Sequence, residues 1–217
     1  MGRRDRATEL QRPLRLLPRG FTGNPDLKPE RSRGYELSGR YNDSRVRASV
    51  TYFRQRLKDE IVDNATFTST LNADGTSKRQ GIEAELHWSP GKWLDLSAGM
   101  SWLDSTQQVH NSPDEQEIRR PKHSGFLSAN GVRGRLTYGL SVAYTGENRD
   151  RRDSFPFELV DLDAFWLGSA RLGWRVSRKT ELFARFSNVF DADYEDVVGY
   201  RTLRRGAYAG LRVAGGR

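Results

Sequence analysis

From Ser32 onward the chain repeats one pattern, with apolar residues at alternate positions and polar residues between them. A period of two is the mark of a strand with one apolar and one polar face, because successive side chains point to opposite sides. Val46, Ala48, Val50 and Tyr52 share a face. Ile82, Ala84, Leu86 and Trp88 oppose Glu83, Glu85 and His87. Leu94, Leu96, Ala98, Met100 and Trp102 fall together, as do Leu136, Tyr138, Leu140, Val142 and Tyr144. Trp166, Ala170, Leu172, Trp174 and Val176 align against Ser169, Arg171 and Arg175. Leu182, Ala184 and Phe186 oppose Arg185 and Ser187; Ala207, Ala209, Leu211 and Val213 oppose Tyr208, Gly210 and Arg212. Residues 123–131 are strand-like, although Phe126 and Leu127 lie on opposite faces. With residues 32–41, the pattern predicts about nine strands and no helix of useful length.

The connections alternate in length. Short ones are NDS (42–44), SPGK (89–92), VRG (132–134) and SRK (177–179). Long polar ones are 62–78, 105–121, 146–160 and 190–204. Short and long loops therefore sit at opposite ends of an up-and-down meander. A soluble sandwich would mix loop lengths and cross between sheets. Strict alternation of tight turns and long loops is the pattern of an outer-membrane barrel. Lipid-facing positions then include Leu86, Trp102, Leu140, Val142, Leu172 and Trp174. Trp166 and Trp174 share a face, and their separation spans roughly 20 Å along the membrane normal once strand tilt is allowed for. Aromatic residues near strand ends suit the membrane–water boundary. Glu83, Glu85, Arg171, Arg175 and Arg185 make the opposite face too polar for half of a soluble core.

Composition narrows the alternatives. Hydrophobic residues make up 35% of the 217, low for a soluble core, while aromatics at 11% argue against disorder. No run reaches the roughly 20 apolar residues of a membrane helix. Cysteine is absent, which excludes disulfides and thiolate metal sites. The net charge of +8 raises nucleic acid as a partner. The basic residues are dispersed, however, at 3–4, 119–120, 149–152 and 201–205, with acids close to most of them. Solvated loops explain them, and no nucleic-acid partner is expected.

Four segments carry a resemblance. GNPDLKPERSRGYELSGRY (23–41) has Pro25 and Pro29 breaking any helix before an alternating strand. Its NPDLKPERSRGYELS part resembles the NP-x-L-x-P-E segment of TonB-dependent outer-membrane receptors. GIEAEL (81–86) resembles their recurrent G-x-E-x-E strand, and RRPKHSGFLS (119–128) their R-x-P-x-H segment. FSNVFDADYEDVVGYRTLRRGAYAGLRV (186–213) resembles their closing region, most of all that of the vitamin B12 receptor branch. Such receptors are barrels of about 22 strands with a plugged lumen.

The resemblance implies an all-β, antiparallel, up-and-down transmembrane barrel portion. Residues 23–217 would be the C-terminal part of a receptor barrel, and 1–22 an unstructured or non-native N-terminal segment. It implies TonB-dependent uptake of a scarce nutrient, cobalamin or a siderophore or metal chelate, in the outer membrane of a Gram-negative bacterium. The implied partners are outer-membrane lipid, a nutrient ligand at the extracellular loops, and a TonB complex reached only through a plug domain missing here. The family's plug, TonB box, signal peptide and final aromatic residue are not recognisable in the sequence, which reads as truncated. An odd number of meandering strands makes the first and last run parallel, so an open half-barrel with edges at 32–41 and 205–213 is expected.

No catalytic, cofactor-binding or metal site is expected, and substrate-binding residues are not assigned. His87, His110 and His123 are scattered. His110, Asp114, Glu115 and Glu117 form a carboxylate-rich loop that could hold Ca²⁺, but their spacing fits no EF-hand. DADYED (191–196) reads as a transition from strand to loop. There is no phosphate loop, no G-x-S-x-G and no H-E-x-x-H. A passive porin-like or structural barrel is the alternative to active uptake, ahead of an outer-membrane enzyme.

Overall fold

The computed structural model describes residues 3–5, 20–64, 68–107, 115–152 and 158–215. Its strands, in chain order, are β1 (Arg3–Asp5), β2 (Arg31–Asn42), β3 (Val46–Lys58), β4 (Ile61–Asp63), β5 (Thr70–Asn72), β6 (Thr76–Gly91), β7 (Leu94–Gln107) and β8 (Glu115–Gln116). They continue with β9 (His123–Arg133), β10 (Leu136–Thr145), β11 (Asn148–Arg151), β12 (Leu159–Leu162), β13 (Phe165–Arg175), β14 (Thr180–Ser187) and β15 (Gly206–Val213). No helix occurs among the described residues.

Nine long strands follow one another as an antiparallel meander, β2-β3-β6-β7-β9-β10-β13-β14-β15, within a sheet of 11 whose other members are the short β1 and β8. The sheet is open: β15 pairs with β14 alone among the described residues. The sequence reading leaves the β2 edge bare. In the structure β1, which lies within 1–22, covers its first rungs, with Arg3 opposite Arg33 and Asp5 opposite Arg31.

Register decides which side chains share a face, because directly opposed residues point the same way. One row runs Tyr41, Ala48, Leu86, Ala98, Leu127 and Val142 through β2, β3, β6, β7, β9 and β10. Further rows on that face join Leu140 to Ala170 and Phe186, and Tyr138 to Leu172, Ala184 and Ala209. Leu86, Trp102, Leu140, Val142, Leu172 and Trp174 all fall on this apolar face, as the alternation predicts. The other face carries Glu36, Arg47, Glu83, Glu85, Ser97, Ser128, Ser141, Arg171 and Arg185. β9, ambiguous in the sequence, is settled by its neighbours. Leu127 joins the apolar face, and Phe126 the polar one opposite Gly99.

Phe126 shows how large rings fit the polar face. A Cβ at Gly99 would meet the Phe126 ring at 2.5 Å, and one at Gly81 would meet the Phe53 ring at 2.8 Å. Each ring therefore lies over a bare backbone on the adjacent strand, a cross-strand pairing that shields glycine in a sheet. Gly81, the first residue of GIEAEL, is thus a packing requirement.

Two boundaries differ from the sequence reading. Ser89, Pro90 and Gly91 belong to β6, which shifts register between Trp88 and Gly91, so the tight turn is Lys92–Trp93. β3 and β6 also run on to Lys58 and back to Thr76, well beyond 46–52 and 82–88. Alternation ceases to be apolar there, but the ladder continues unbroken. Backbone pairing needs no apolar side chain, so a hydrophobic pattern underestimates strand length outside the apolar band.

The turn end is held by short-range bonds. Asp43 Oδ1 accepts from the Arg45 and Val46 amides at 2.6 and 2.8 Å, and Tyr41 Oη donates to Oδ2 at 2.7 Å. The Arg45 amide, then the Tyr41 hydroxyl, hold the Asp43 carboxyl below the usual carboxylate range.

Candidate functional site

At the opposite end the long connections carry structure of their own. β4 and β5 form a small hairpin within 59–75, and β11 and β12 another within 146–164. The proline-set stretch before β2 is attached to the first hairpin. Lys28 N donates to Asn72 Oδ1 at 2.8 Å, and Asn72 Nδ2 donates back to Lys28 O at 2.9 Å. Asn24 Nδ2 donates to Thr70 O at 3.0 Å, and Ile61 N to Glu30 Oε1 at 2.9 Å. Pro25, in a turn, and Pro29 thus lie in a segment held to the hairpin by Asn24, Lys28 and Glu30.

Two buried carboxylates lace the loops together. Glu117, 3% exposed, accepts from Arg79 Nε at 2.8 Å and pairs with Arg120 Nε at 2.8 Å. Arg79 also donates through Nη2 to Glu60 Oε1 at 2.8 Å, and Glu60 takes a hydrogen bond from Ser77 Oγ. Asp150 is fully buried. Its Oδ1 accepts from Arg119 Nε at 2.9 Å and from the Arg151 amide at 2.8 Å, and its Oδ2 from the Val198 amide at 2.9 Å. Carboxylates can be buried here because each accepts several charge-assisted or backbone bonds.

The adjacent arginines of RRPKHSGFLS therefore serve different partners. Arg119 reaches Asp150, and Arg120 reaches Glu117. Arg119 has a φ of 58°, uncommon for a non-glycine residue, and this turn separates the two side chains. The segment ties together the loops after β7, β10 and β14. The sequence showed RR followed by Pro121, but not which acids it meets, since Asp150 is 31 residues away.

A recess of about 510 Å³ opens among these loops, lined by Arg119, Arg151, Asp196, Val198, Tyr200 and Arg201. Arg119 is already paired with the buried Asp150, so Arg151 and Arg201, against Asp196, give it a positive character. Tyr200, 65% exposed, offers a ring beside them. DADYED forms part of the wall and its support. Asp191 accepts from Arg204 Nε at 3.2 Å and the Arg205 amide at 3.1 Å, and Asp193 pairs with Arg204 at 2.8 Å. Arg204, then the Arg205 amide, lower the Asp191 carboxyl to about 2.

The remaining sequence candidates are dispersed. Of the carboxylate-rich loop, His110 and Asp114 lie outside the described residues. Glu117 is engaged by two arginines, and Glu115 pairs with Gln107 as part of β8. His123 stands opposite Trp102 on the apolar face. His87 lies on the polar face near the turns, with Nδ1 3.1 Å from Ser97 Oγ and Nε2 3.1 Å from Ser89 Oγ. Ser89 Oγ donates to Asp95 Oδ2 at 2.9 Å. This group bridges the irregular β6–β7 rungs; the Ser89 proton is committed to Asp95, so the hydroxyl is not primed by His87 as a nucleophile. Nothing in the sequence marks Glu60 or Asp150 as loop-end anchors. Arg151 and Arg201 belong to the basic runs 149–152 and 201–205, which the sequence reading assigns to solvated loops.

The comparisons agree with this architecture. Residues 14–189 match the family described as TonB dependent receptor-like, beta-barrel. The ferric-catecholate import receptor Fiu of E. coli K12 is similar in structure, with a TM-score of 0.72 at 19% identity over 88% of this chain and 28% of that one. The ferripyoverdine receptor of the Pseudomonas aeruginosa outer membrane has a TM-score of 0.70 at 18% identity, over 86% of this chain and 27% of its own. The FrpB iron transporter of Neisseria meningitidis has a TM-score of 0.67 at 19% identity, over 90% and 32%. The chain thus spans about a third or less of these proteins. With a family match over most of its length and the two-faced meander that such barrels require, the chain belongs to the TonB-dependent receptor-like β-barrel family.

Proposed function

We propose that these strands form the C-terminal part of a Gram-negative outer-membrane receptor that takes up a scarce metal chelate with energy from TonB. The family match over residues 14–189 carries this reading. The apolar face would meet lipid. The polar face, with Glu36, Glu83, Glu85, Arg171 and Arg185, would meet a plug domain through which TonB acts. The laced loops would lie outside the cell, with the Arg119–Arg151–Arg201 recess open to ligand. Its positive lining supports an anionic ligand, and the three similar proteins are named for iron, ferric catecholate or ferripyoverdine.

Cobalamin uptake is the second reading, supported by the likeness of residues 186–213 to the closing region of vitamin B12 receptors. The test is uptake by cells that lack their own receptors and express the full-length protein. Labelled ferric siderophores and labelled cobalamin are compared with TonB present and deleted. TonB-dependent accumulation of a ferric chelate, weakened by Arg201→Glu, supports the first reading. Accumulation of cobalamin alone supports the second. Solute entry that is indifferent to TonB indicates a passive barrel.

A further inference from the structure

Uptake gives no role to a recess on the apolar face beside two neighbouring turns. The row Leu136–Trp174–Leu182–Leu211 crosses β10, β13, β14 and β15 close to the turn end. The next row toward the loops is Tyr138–Leu172–Ala184–Ala209. Two alanines in that row lie among larger side chains, and a recess of about 570 Å³ forms there, walled by Leu136, Leu172, Trp174 and Leu182. Trp174, Leu182 and Leu211 are exposed around it.

The turns beyond this recess are basic. Arg133 ends β9 on the apolar face, directly opposite Leu136. Arg135 lies in the β9–β10 turn, and Arg178 and Lys179 in the β13–β14 turn. The two turns are tied together: Arg175 N donates to Arg135 O at 2.9 Å, and Arg175 Nη2 to Gly134 O at 2.7 Å. Arg133, Arg135, Arg178 and Lys179 are all exposed. No carboxylate among the described residues forms an ion pair with them. Glu181, the acid at this end of β14, is taken by Thr137 Oγ1 at 3.3 Å and Arg212 Nη1 at 3.4 Å. The loop end differs, because Arg79, Arg119, Arg120, Arg149 and Arg204 all meet acids there. Four cations gathered on tied turns repel one another, and an anion from outside the chain offsets that cost.

We propose that this place binds an anionic glycerophospholipid of the inner leaflet. One acyl chain would lie along the recess, and the phosphate among Arg133, Arg135, Arg178 and Lys179. The inference rests on the reading that the loop end lies outside the cell, which sets the turn end at the periplasmic leaflet. Arginine is suited to two-point contact with phosphate oxygens. The Trp174 indole, one row in from the turns, fits the level where headgroup gives way to acyl chain. Arg133 directly opposes Leu136, a wall of the recess, so charge and apolar surface meet without a polar row between them. A phospholipid engages both at once, whereas a free anion engages the charge alone. The recess by itself would accept any acyl chain; the cations select a headgroup with net negative charge.

The test uses the full-length protein purified in mild detergent and titrated with phosphatidylglycerol, zwitterionic phosphatidylethanolamine and glycerol phosphate. Phosphatidylglycerol should bind, and phosphatidylethanolamine much more weakly. The variant Arg133→Gln/Arg178→Gln/Lys179→Gln removes three cations, each worth about fivefold near an anionic headgroup, so about 100-fold weaker binding of phosphatidylglycerol is expected. Ala209→Phe fills the recess; excluding the equivalent of about two methylenes should weaken the same lipid about tenfold. Lys28→Gln/Arg33→Gln/Arg56→Gln removes the same charge at the loop end and should leave binding unchanged. Equal affinity of the turn-end variant and the parent for phosphatidylglycerol overturns the proposal. So does equal affinity of the parent for the two phospholipids, or displacement by glycerol phosphate at the concentrations where the lipid binds. Two controls separate this from the uptake reading. Ser177→Cys, in the β13–β14 turn, should resist a bulky impermeant thiol reagent on intact cells and react once the outer membrane is permeabilised, and the turn-end variant should still take up substrate. Labelling of intact cells overturns the orientation and both readings with it. Labelling only after permeabilisation and normal uptake, with unchanged phosphatidylglycerol affinity in the turn-end variant, overturn this proposal alone.

Discussion

The two ends of the sheet are stabilised over very different distances along the chain. At the turn end, Asp43 caps a turn using the amides two and three residues ahead. Gly134, with φ of 62°, lets β9 reverse into β10 within Gly134–Arg135. At the loop end, Glu117 is bound to Arg79, 38 residues away, and Asp150 to Val198, 48 residues away. A turn end built from local bonds leaves little room for variation. A loop end built from side chains of separate connections can be rebuilt loop by loop while the strands stay in register. That division fits the general rule that connections vary more freely than the elements they join.

The largest expected effect tests the frame that both ends share. Leu140→Arg places a charge on the apolar face and should cost about 2–4 kcal/mol in a lipid-refolding titration if the site lies near the bilayer midplane. Ser141→Arg, one residue on and on the polar face, should cost much less. Equal penalties would remove the basis for distinguishing the faces.

Asp150→Ala comes next. It leaves the Arg119 guanidinium and two amides without their acceptor, and about 2–3 kcal/mol of loop-end stability should be lost. The loss stays below the roughly 3–5 kcal/mol of breaking a fully buried pair because Arg119, 52% exposed, can rehydrate. Hydrogen exchange should rise in 146–152 and 190–204 while β3, β6 and β7 stay protected. Spread of the loss into those strands would show that the two ends are not independent.

Gly134→Ala should cost about 1 kcal/mol, since an L side chain in the left-handed region is strained. The damage should stay within the β9–β10 hairpin and leave the loop end unchanged by the same exchange measurement.

The smallest effect is acid sensitivity of the last loop. The folded Asp191 carboxyl is lowered to about 2, below its ordinary value, so its contribution is present above the ordinary carboxylate range. It should be lost progressively as pH falls from about 4 toward 2. Asp191→Asn should flatten that dependence for 190–204 and leave the response of the Asp43 turn at the other end unchanged. Identical acid profiles for parent and variant would remove Asp191 from the account.

The sequence alone determined the strand count, the meander, the identity of the two faces and the alternation of loop lengths. Each of these follows from a period of two and from turn residues, and both are local properties of the chain. Tertiary structure decided what local pattern leaves open. It assigned Phe126 to the polar face, because pairing sets Leu127 between Ala98 and Val142 and leaves the Phe126 ring over the bare backbone of Gly99. It carried β3 and β6 past the apolar band, because a ladder needs backbone partners and not hydrophobic side chains. It buried Glu117 between two arginines, a pairing that the carboxylate-rich loop does not show in the sequence. It paired Arg119 with Asp150 and placed Arg33 opposite Arg56. Such pairings depend on which distant residues the register brings within a few ångströms, and spacing along a single strand does not contain that information.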